Sequence, residues 1–178
     1  LARFHSGKAL FLDTPEPRLD QSSTFSAISE LQMFMEYFPA SKRKTEAQQM
    51  IFGLQDKLVM KDYLTAKLYY DLGTYTGNAS YTADMRINGN NFLACITTAQ
   101  NALKDYPYTS MREEISILLL RAKHKLGSES VLEKKEERMR ETIDEYYAFK
   151  NEFPESKYMK EVESIYKDAS KYVKELNE

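Results

Sequence analysis

Phe38-Pro39-Ala40-Ser41, Tyr106-Pro107-Tyr108-Thr109 and Phe153-Pro154-Glu155-Ser156 are one phrase written three times: an aromatic, a proline, a variable residue, a hydroxyl. The agreement extends outward from each proline. Twelve residues before it stands a small or β-branched residue (Ala27, Cys95, Thr142). Eight before stand Leu31, Ala99 and Tyr146, and five before stand Phe34, Ala102 and Phe149. Seven after it comes a glutamate (Glu46, Glu114, Glu161), each followed by an apolar residue (Ala47, Ile115, Val162). Agreement at so many offsets predicts stacked structural repeats and outranks any local motif.

Offsets of twelve, eight, five and one residue before the proline fall on one face of a helix. The small residue lets a partner helix approach closely, and the bulkier ones fill the seam. Proline lacks an N–H and disfavours helical geometry in the residue before it, so the helix stops there. The following Ser or Thr is placed to cap the next helix by accepting a free N–H. None of the three has Glu or Gln three residues on, so simple caps are predicted and capping boxes are not. Each unit reads as helix, tight turn, helix.

Composition leaves room for little else. The 178 residues are 42% hydrophobic and 29% charged, with only six glycines and five prolines, too few for a turn-rich β architecture. A net charge of −2 opposes nucleic-acid binding, which wants a basic excess. Interleaved charge, as in Lys134-Lys135-Glu136-Glu137-Arg138, reads as a solvated helix face. No run approaches the roughly 20 apolar residues of a membrane span. The opening Leu1-Ala2-Arg3-Phe4-His5 reads as the middle of a helix, and a fragment of a longer protein is expected. The single Cys95 occupies a small seam position, so packing is its predicted role.

The predicted fold class is all-α: a tetratricopeptide-like α-α superhelix with one long shared helix and an inserted loop or hairpin near 74–91. One helical-repeat domain is expected over 1–178. Residues 1–22 close an upstream repeat and form a linker through Pro15 and Pro17. Residues 23–72 form the first repeat region, 73–91 the insertion, 92–127 the second region and 131–178 the C-terminal repeat. Helices are predicted near 24–38, 42–72, 91–105, 109–126, 132–152 and 157–176, the first capped by Ser22 or Ser23. The 42–72 helix keeps its apolar spacing too long for one partner, so two repeats should share it. Gly73 should stop it. Tyr, Thr and Asn88-Gly89 in the insertion suit a hairpin or an ordered loop.

Motifs for chemistry are missing. His5 and His124 are far apart, and His124, between Lys123 and Lys125, is expected on an outer face. No HExxH, paired Cys, phosphate-cradling glycine loop or GxSxG occurs, so no enzyme, no metal site and no cofactor are expected. The thirteen tyrosines should mostly pack the seam, with the remainder serving as interface anchors.

Ala27-Leu31-Phe34-Pro39 resembles the second-helix consensus of tetratricopeptide repeats. A longer ordered series resembles the BamD family of outer-membrane assembly lipoproteins in its Bacteroidetes-type form. It runs through Leu19-Asp20-Gln21-Ser22-Ser23-Thr24, Leu54-x-Asp56-Lys57-Leu58-x-x-Lys61-x-Tyr63-x-x-Ala66-Lys67-x-Tyr69-Tyr70 and Leu103-Lys104-Asp105-Tyr106-Pro107, and on to Glu129-Ser130 and Phe153-Pro154-Glu155-Ser156-Lys157-Tyr158. The resemblance covers about 150 residues, interrupted at 74–91, and matches the family's later repeats. It implies a non-enzymatic scaffold at the periplasmic face of the outer membrane, lipid-anchored through residues absent here. The implied partners are the POTRA region of BamA and unfolded outer-membrane proteins, with no nucleic acid and no small-molecule substrate. It makes Asp56, Lys57, Asp62, Tyr63, Lys67 and Tyr70 the docking candidates. The alternative is another tetratricopeptide lipoprotein that binds peptide or glycan, with the 74–91 insertion lining its pocket.

Overall fold

The computed structural model describes residues 2–75 and 90–175. All regular structure there is helical, in seven elements: α1 Ala2–Leu12, α2 Ser22–Tyr37, α3 Lys44–Leu72, α4 Asn91–Asp105, α5 Arg112–Ser128, α6 Leu132–Glu152 and α7 Met159–Glu175. Consecutive helices pack in pairs, as tetratricopeptide-like repeats do. The predicted helices agree with these to within a few residues. The loop or hairpin expected near 74–91 lies outside the described residues apart from its two ends.

The seam positions twelve, eight and five residues before each proline are all inside, whereas of the aromatics just before the prolines Tyr106 and Phe153 are half-buried and Phe38, expected in the seam, is exposed. Ala27, Cys95 and Thr142 are fully buried, as are Ala47, Ile115 and Val162, and Leu31, Ala99, Tyr146, Phe34, Ala102 and Phe149 are buried. The three corners share their hydrogen bonds. The hydroxyl residue's N–H donates to the aromatic's carbonyl (Ser41 to Phe38 3.0 Å, Thr109 to Tyr106 3.2 Å, Ser156 to Phe153 3.2 Å). Its side-chain oxygen then accepts from the N–H two residues on: Arg43 at 3.3 Å, Met111 at 3.2 Å and Tyr158 at 3.0 Å. The hydroxyls thus cap a lead-in turn, and regular α-helix begins three residues after each, at Lys44, Arg112 and Met159.

The entry to α2 differs from expectation. Neither Ser22 nor Ser23 caps it. The Asp20 carboxylate accepts the Ser22 N–H at 3.0 Å, an Asx turn that also draws the Asp20 carboxyl below its usual pKa through the Ser22 hydroxyl and N–H. Gln21 takes the cap position and is buried, its amide donating to the Glu16 carbonyl at 2.7 Å and accepting the Thr24 hydroxyl at 2.7 Å. A buried glutamine held at both ends of its amide ties the Pro15–Pro17 connection to the helix.

Chain contacts group into two compact units. The first comprises 1–64 with the α4–α5 corner 106–111; the second comprises 65–105 with 112–178. Helix α3 therefore contributes to both, as its long periodicity predicted. In the first unit Phe4 of α1, Ala27, Leu31 and Phe34 of α2, and Ala47, Met50, Ile51 and Leu54 of α3 share one core. Gly7 permits that packing: a Cβ there would lie 2.8 Å from Leu31 Cδ2, so any side chain would push α1 off α2.

In the second unit α5 is the central element, packed by α4, α6 and α7. Contact on several sides explains why it is buried almost without interruption from Ile115 to Leu120 and again at Ala122. It also corrects the expectation of an outer face around residue 124. Lys123 is largely buried in an ion pair with Glu145, and the His124 Nε2 lies 2.7 Å from the Asp168 Oδ2. Gly127 and Ser128, expected to break the chain, still belong to α5, where a Cβ on Gly127 would lie 3.1 Å from the Met139 sulfur. Gly73 does stop α3: its φ is +54°, a left-handed conformation favouring glycine, and its N–H donates to the Tyr69 and Tyr70 carbonyls at 3.1 Å. Cys95 is buried, and desolvation pushes its thiol up to about 12, which leaves it protonated and inert.

The glutamates seven residues past each proline are staples. Glu46 accepts from the Lys8 Nζ at 2.8 Å, Glu161 takes Arg121 in a two-pronged pair with both contacts at 2.6 Å, and Glu114 lies 3.6 Å from the Lys157 Nζ. The Arg121 hydrogen bond holds the Glu161 carboxyl below the ordinary glutamate value despite some opposing desolvation. A carboxylate depressed on folding contributes stability that is complete above its unfolded pKa and is lost as pH falls through the folded one. Arg121→Gln should therefore flatten the acid limb of an unfolding-free-energy profile between pH 3 and 6, by about 0.2–1 kcal/mol because both partners are partly exposed. An unchanged acid limb would show that the pair contributes nothing.

Candidate functional site

Helix α3 places the six docking candidates. Asp56, Lys57, Asp62 and Tyr63 belong to the first unit, and Lys67 and Tyr70 to the second. All except the exposed Lys67 are half-buried.

In the first unit two of the four work inside the molecule. The Asp56 carboxylate accepts the Thr109 hydroxyl at 2.9 Å, the Ser110 hydroxyl at 2.9 Å and the Ser110 N–H at 3.3 Å. Three donors on one carboxylate clamp the middle proline corner onto α3. One residue on, the Lys57 Nζ donates to the Thr14 hydroxyl at 2.5 Å and to the Thr14 carbonyl at 3.3 Å. One turn further the Lys61 Nζ donates to the Leu19 carbonyl at 3.0 Å. These lysines hold the proline-rich α1–α2 connection, whose carbonyls would otherwise need water. Their partners Thr14, Leu19 and Ser110 were not foreseen. The one signal available was the joint appearance of Leu19 and Lys61 in one family pattern, and these two residues are hydrogen-bonded.

Asp62 is half-buried and engaged in the fold, and Tyr63 is half-buried on the same turn. Ala66, three residues past Tyr63, is fully buried and marks the packed side of the helix.

In the second unit the Lys67 Nζ pairs with Asp71 at 2.8 Å along the exposed side of α3. Such an i,i+4 pair contributes about 0.3–0.5 kcal/mol, little enough to be exchanged for a partner's carboxylate. The Tyr70 ring meets the Phe92 ring edge-on, centroids 5.7 Å apart. Burial raises its phenol pKa, with the Arg121 charge opposing. Tyr70 is thus a packed ring with a polar tip, the form that serves interfaces at little entropic cost.

Chemically, this is a surface of hydrogen-bonded charges and tyrosines on a helical frame. Among the described residues no group of three or more His, Cys, Asp or Glu is arranged to hold a metal ion, and no helix is long and apolar enough to cross a membrane. Residues 2–86 match the family described as YfiO, outer membrane lipoprotein; the match takes in α1, α2 and all of α3. No curated protein matches the chain.

Proposed function

From the match of residues 2–86 to the YfiO outer-membrane-lipoprotein family, the family of BamD, we propose that this chain is a non-enzymatic scaffold of outer-membrane β-barrel protein assembly. It docks the periplasmic POTRA region of BamA and works at the periplasmic face of the outer membrane, tethered by a lipid in the full-length protein. The docking strip is on α3 at Asp62, Tyr63, Lys67 and Tyr70, with Asp56 and Lys57 bracing the connections beside it. The observation that carries the reading is that the family match spans the whole of α3, where these residues keep solvent access.

Tyr63→Ala combined with Lys67→Glu removes one aromatic anchor and reverses one charge on this strip. It should weaken binding to the purified periplasmic region of BamA by about tenfold or more in surface plasmon resonance, with the far-UV spectrum unchanged. Undiminished binding by the folded double variant would take the docking site off α3.

A further inference from the structure

The first and third proline corners open the same kind of recess, with rims of different charge. At the first, a recess of about 440 Å³ is walled by Phe34, Tyr37, Phe38 and Pro39, with Ala40 at its mouth and Arg43 on its rim. At the third, one of about 360 Å³ is lined by Phe153 and Pro154, with Glu113, Glu155 and Lys157 around it. Aligned on the prolines, Ala40 corresponds to Glu155 and Arg43 to Tyr158. The aromatic-proline geometry recurs because the repeat recurs. The charge does not, so it is not demanded by folding.

Around the first recess cations predominate. Arg43 stands between Lys42 and Lys44, and the Arg3 guanidinium lies 5.0 Å over the Tyr37 ring. Glu46, the acidic neighbour of Arg43, is taken by Lys8 at 2.8 Å and is only 3.9 Å from the Arg43 guanidinium, while Glu30 stands 3.9 Å from Arg3. Arg43 rests over the Phe4 ring at 4.9 Å and its side chain is 42% exposed, so it is open to solvent beside its long pairing with Glu46. The walls hold large apolar surface in reach of solvent: Tyr37 is 65% exposed and Phe38 46%.

We propose that this corner is a binding site for an acidic linear segment of a partner protein, one bulky apolar side chain entering the recess and an adjacent carboxylate meeting Arg43. A planar guanidinium beside an aromatic-walled recess matches that combination. The third corner, with Glu113 and Glu155 at its mouth, repels the same segment, so one repeated shape yields two specificities. The site is separate from the α3 strip and does not rest on docking to BamA.

The probe is a fluorescein-labelled ten-residue peptide with phenylalanine flanked by Asp and Glu, titrated with the whole chain by fluorescence anisotropy. Arg43→Glu should weaken its binding about tenfold or more. Ala40→Glu, at an exposed turn position with no hydrogen bond to lose, should do the same by copying the third corner. Glu155→Ala, in the third corner, should leave binding within about twofold, since additive surface changes far from a site are small. A peptide with Ala for Phe, or with Lys for its acids, should bind at least about tenfold more weakly. The proposal fails if Ala40→Glu and Arg43→Glu, with wild-type melting curves, bind the peptide undiminished, or if the Ala and Lys peptides bind as well as the parent. It also fails if the peptide does not bind at all, or if anionic phosphatidylglycerol vesicles compete equally through the same two residues.

Discussion

Glu145→Ala should destabilise the protein by about 3–5 kcal/mol, as is usual when one partner of a buried ion pair is removed. The Lys123 Nζ donates to the Glu145 Oε2 at 2.6 Å, and the two side chains are only 14% and 16% exposed. Removing the carboxylate strands an ammonium between α5 and α6, where leaving it charged or neutralising it are both costly. Replacing the pair together, Lys123→Met with Glu145→Leu, should recover most of the loss, because two apolar side chains need no solvation there. Urea unfolding of both variants is the check. A loss below about 1 kcal/mol in Glu145→Ala would mean that the lysine stem carries its head out to water.

Phe149→Ala should cost about 3–5 kcal/mol, the range for emptying a large buried aromatic position. The residue is 1% exposed and packs with Ile117, Leu120, Tyr146, Val162 and Ile165, drawn from three helices. Its counterpart in the first unit, Phe34, is 2% exposed and meets the Phe4 ring with centroids 5.3 Å apart, so Phe34→Ala should cost a similar amount. Repeat architectures lose stability locally because each helix pair rests mainly on its neighbours. Amide exchange in Phe34→Ala should therefore quicken in α1, α2 and the start of α3 while α6 and α7 keep their protection. Equal loss of protection everywhere would show that the two units unfold together.

Much of the fold was legible because it is periodic. A corner that repeats three times supplies its own internal comparison, so Ala27, Cys95 and Thr142 could be assigned to one structural position although their chemistry differs. Helix ends were read within a few residues wherever proline or glycine enforces them. The exceptions have local physical causes. Gln21 could not be distinguished from a surface glutamine, since its burial depends on carbonyls that a proline-bent connection happens to present. Lys123 and His124 carry no mark of being inside; that follows from α5 having neighbours on several sides. Of the docking candidates, the sequence supplied the helix and the residue types, but the intramolecular work of Asp56 and Lys57 required Thr14, Thr109 and Ser110, which are 43 to 54 positions away.

From its order of residues alone this protein is committed to helices of known length, to corners at Pro39, Pro107 and Pro154, and to a small-and-bulky seam, because helical period and proline stereochemistry act over a few residues. Only the tertiary structure decides which charges become braces and which remain on the surface. It sets Arg43 beside an aromatic recess and Glu155 beside its counterpart. The reason is one of range: backbone preference is resolved within a turn or two of helix, whereas the partner of a charge is whatever the packed chain brings within about 3 Å of it.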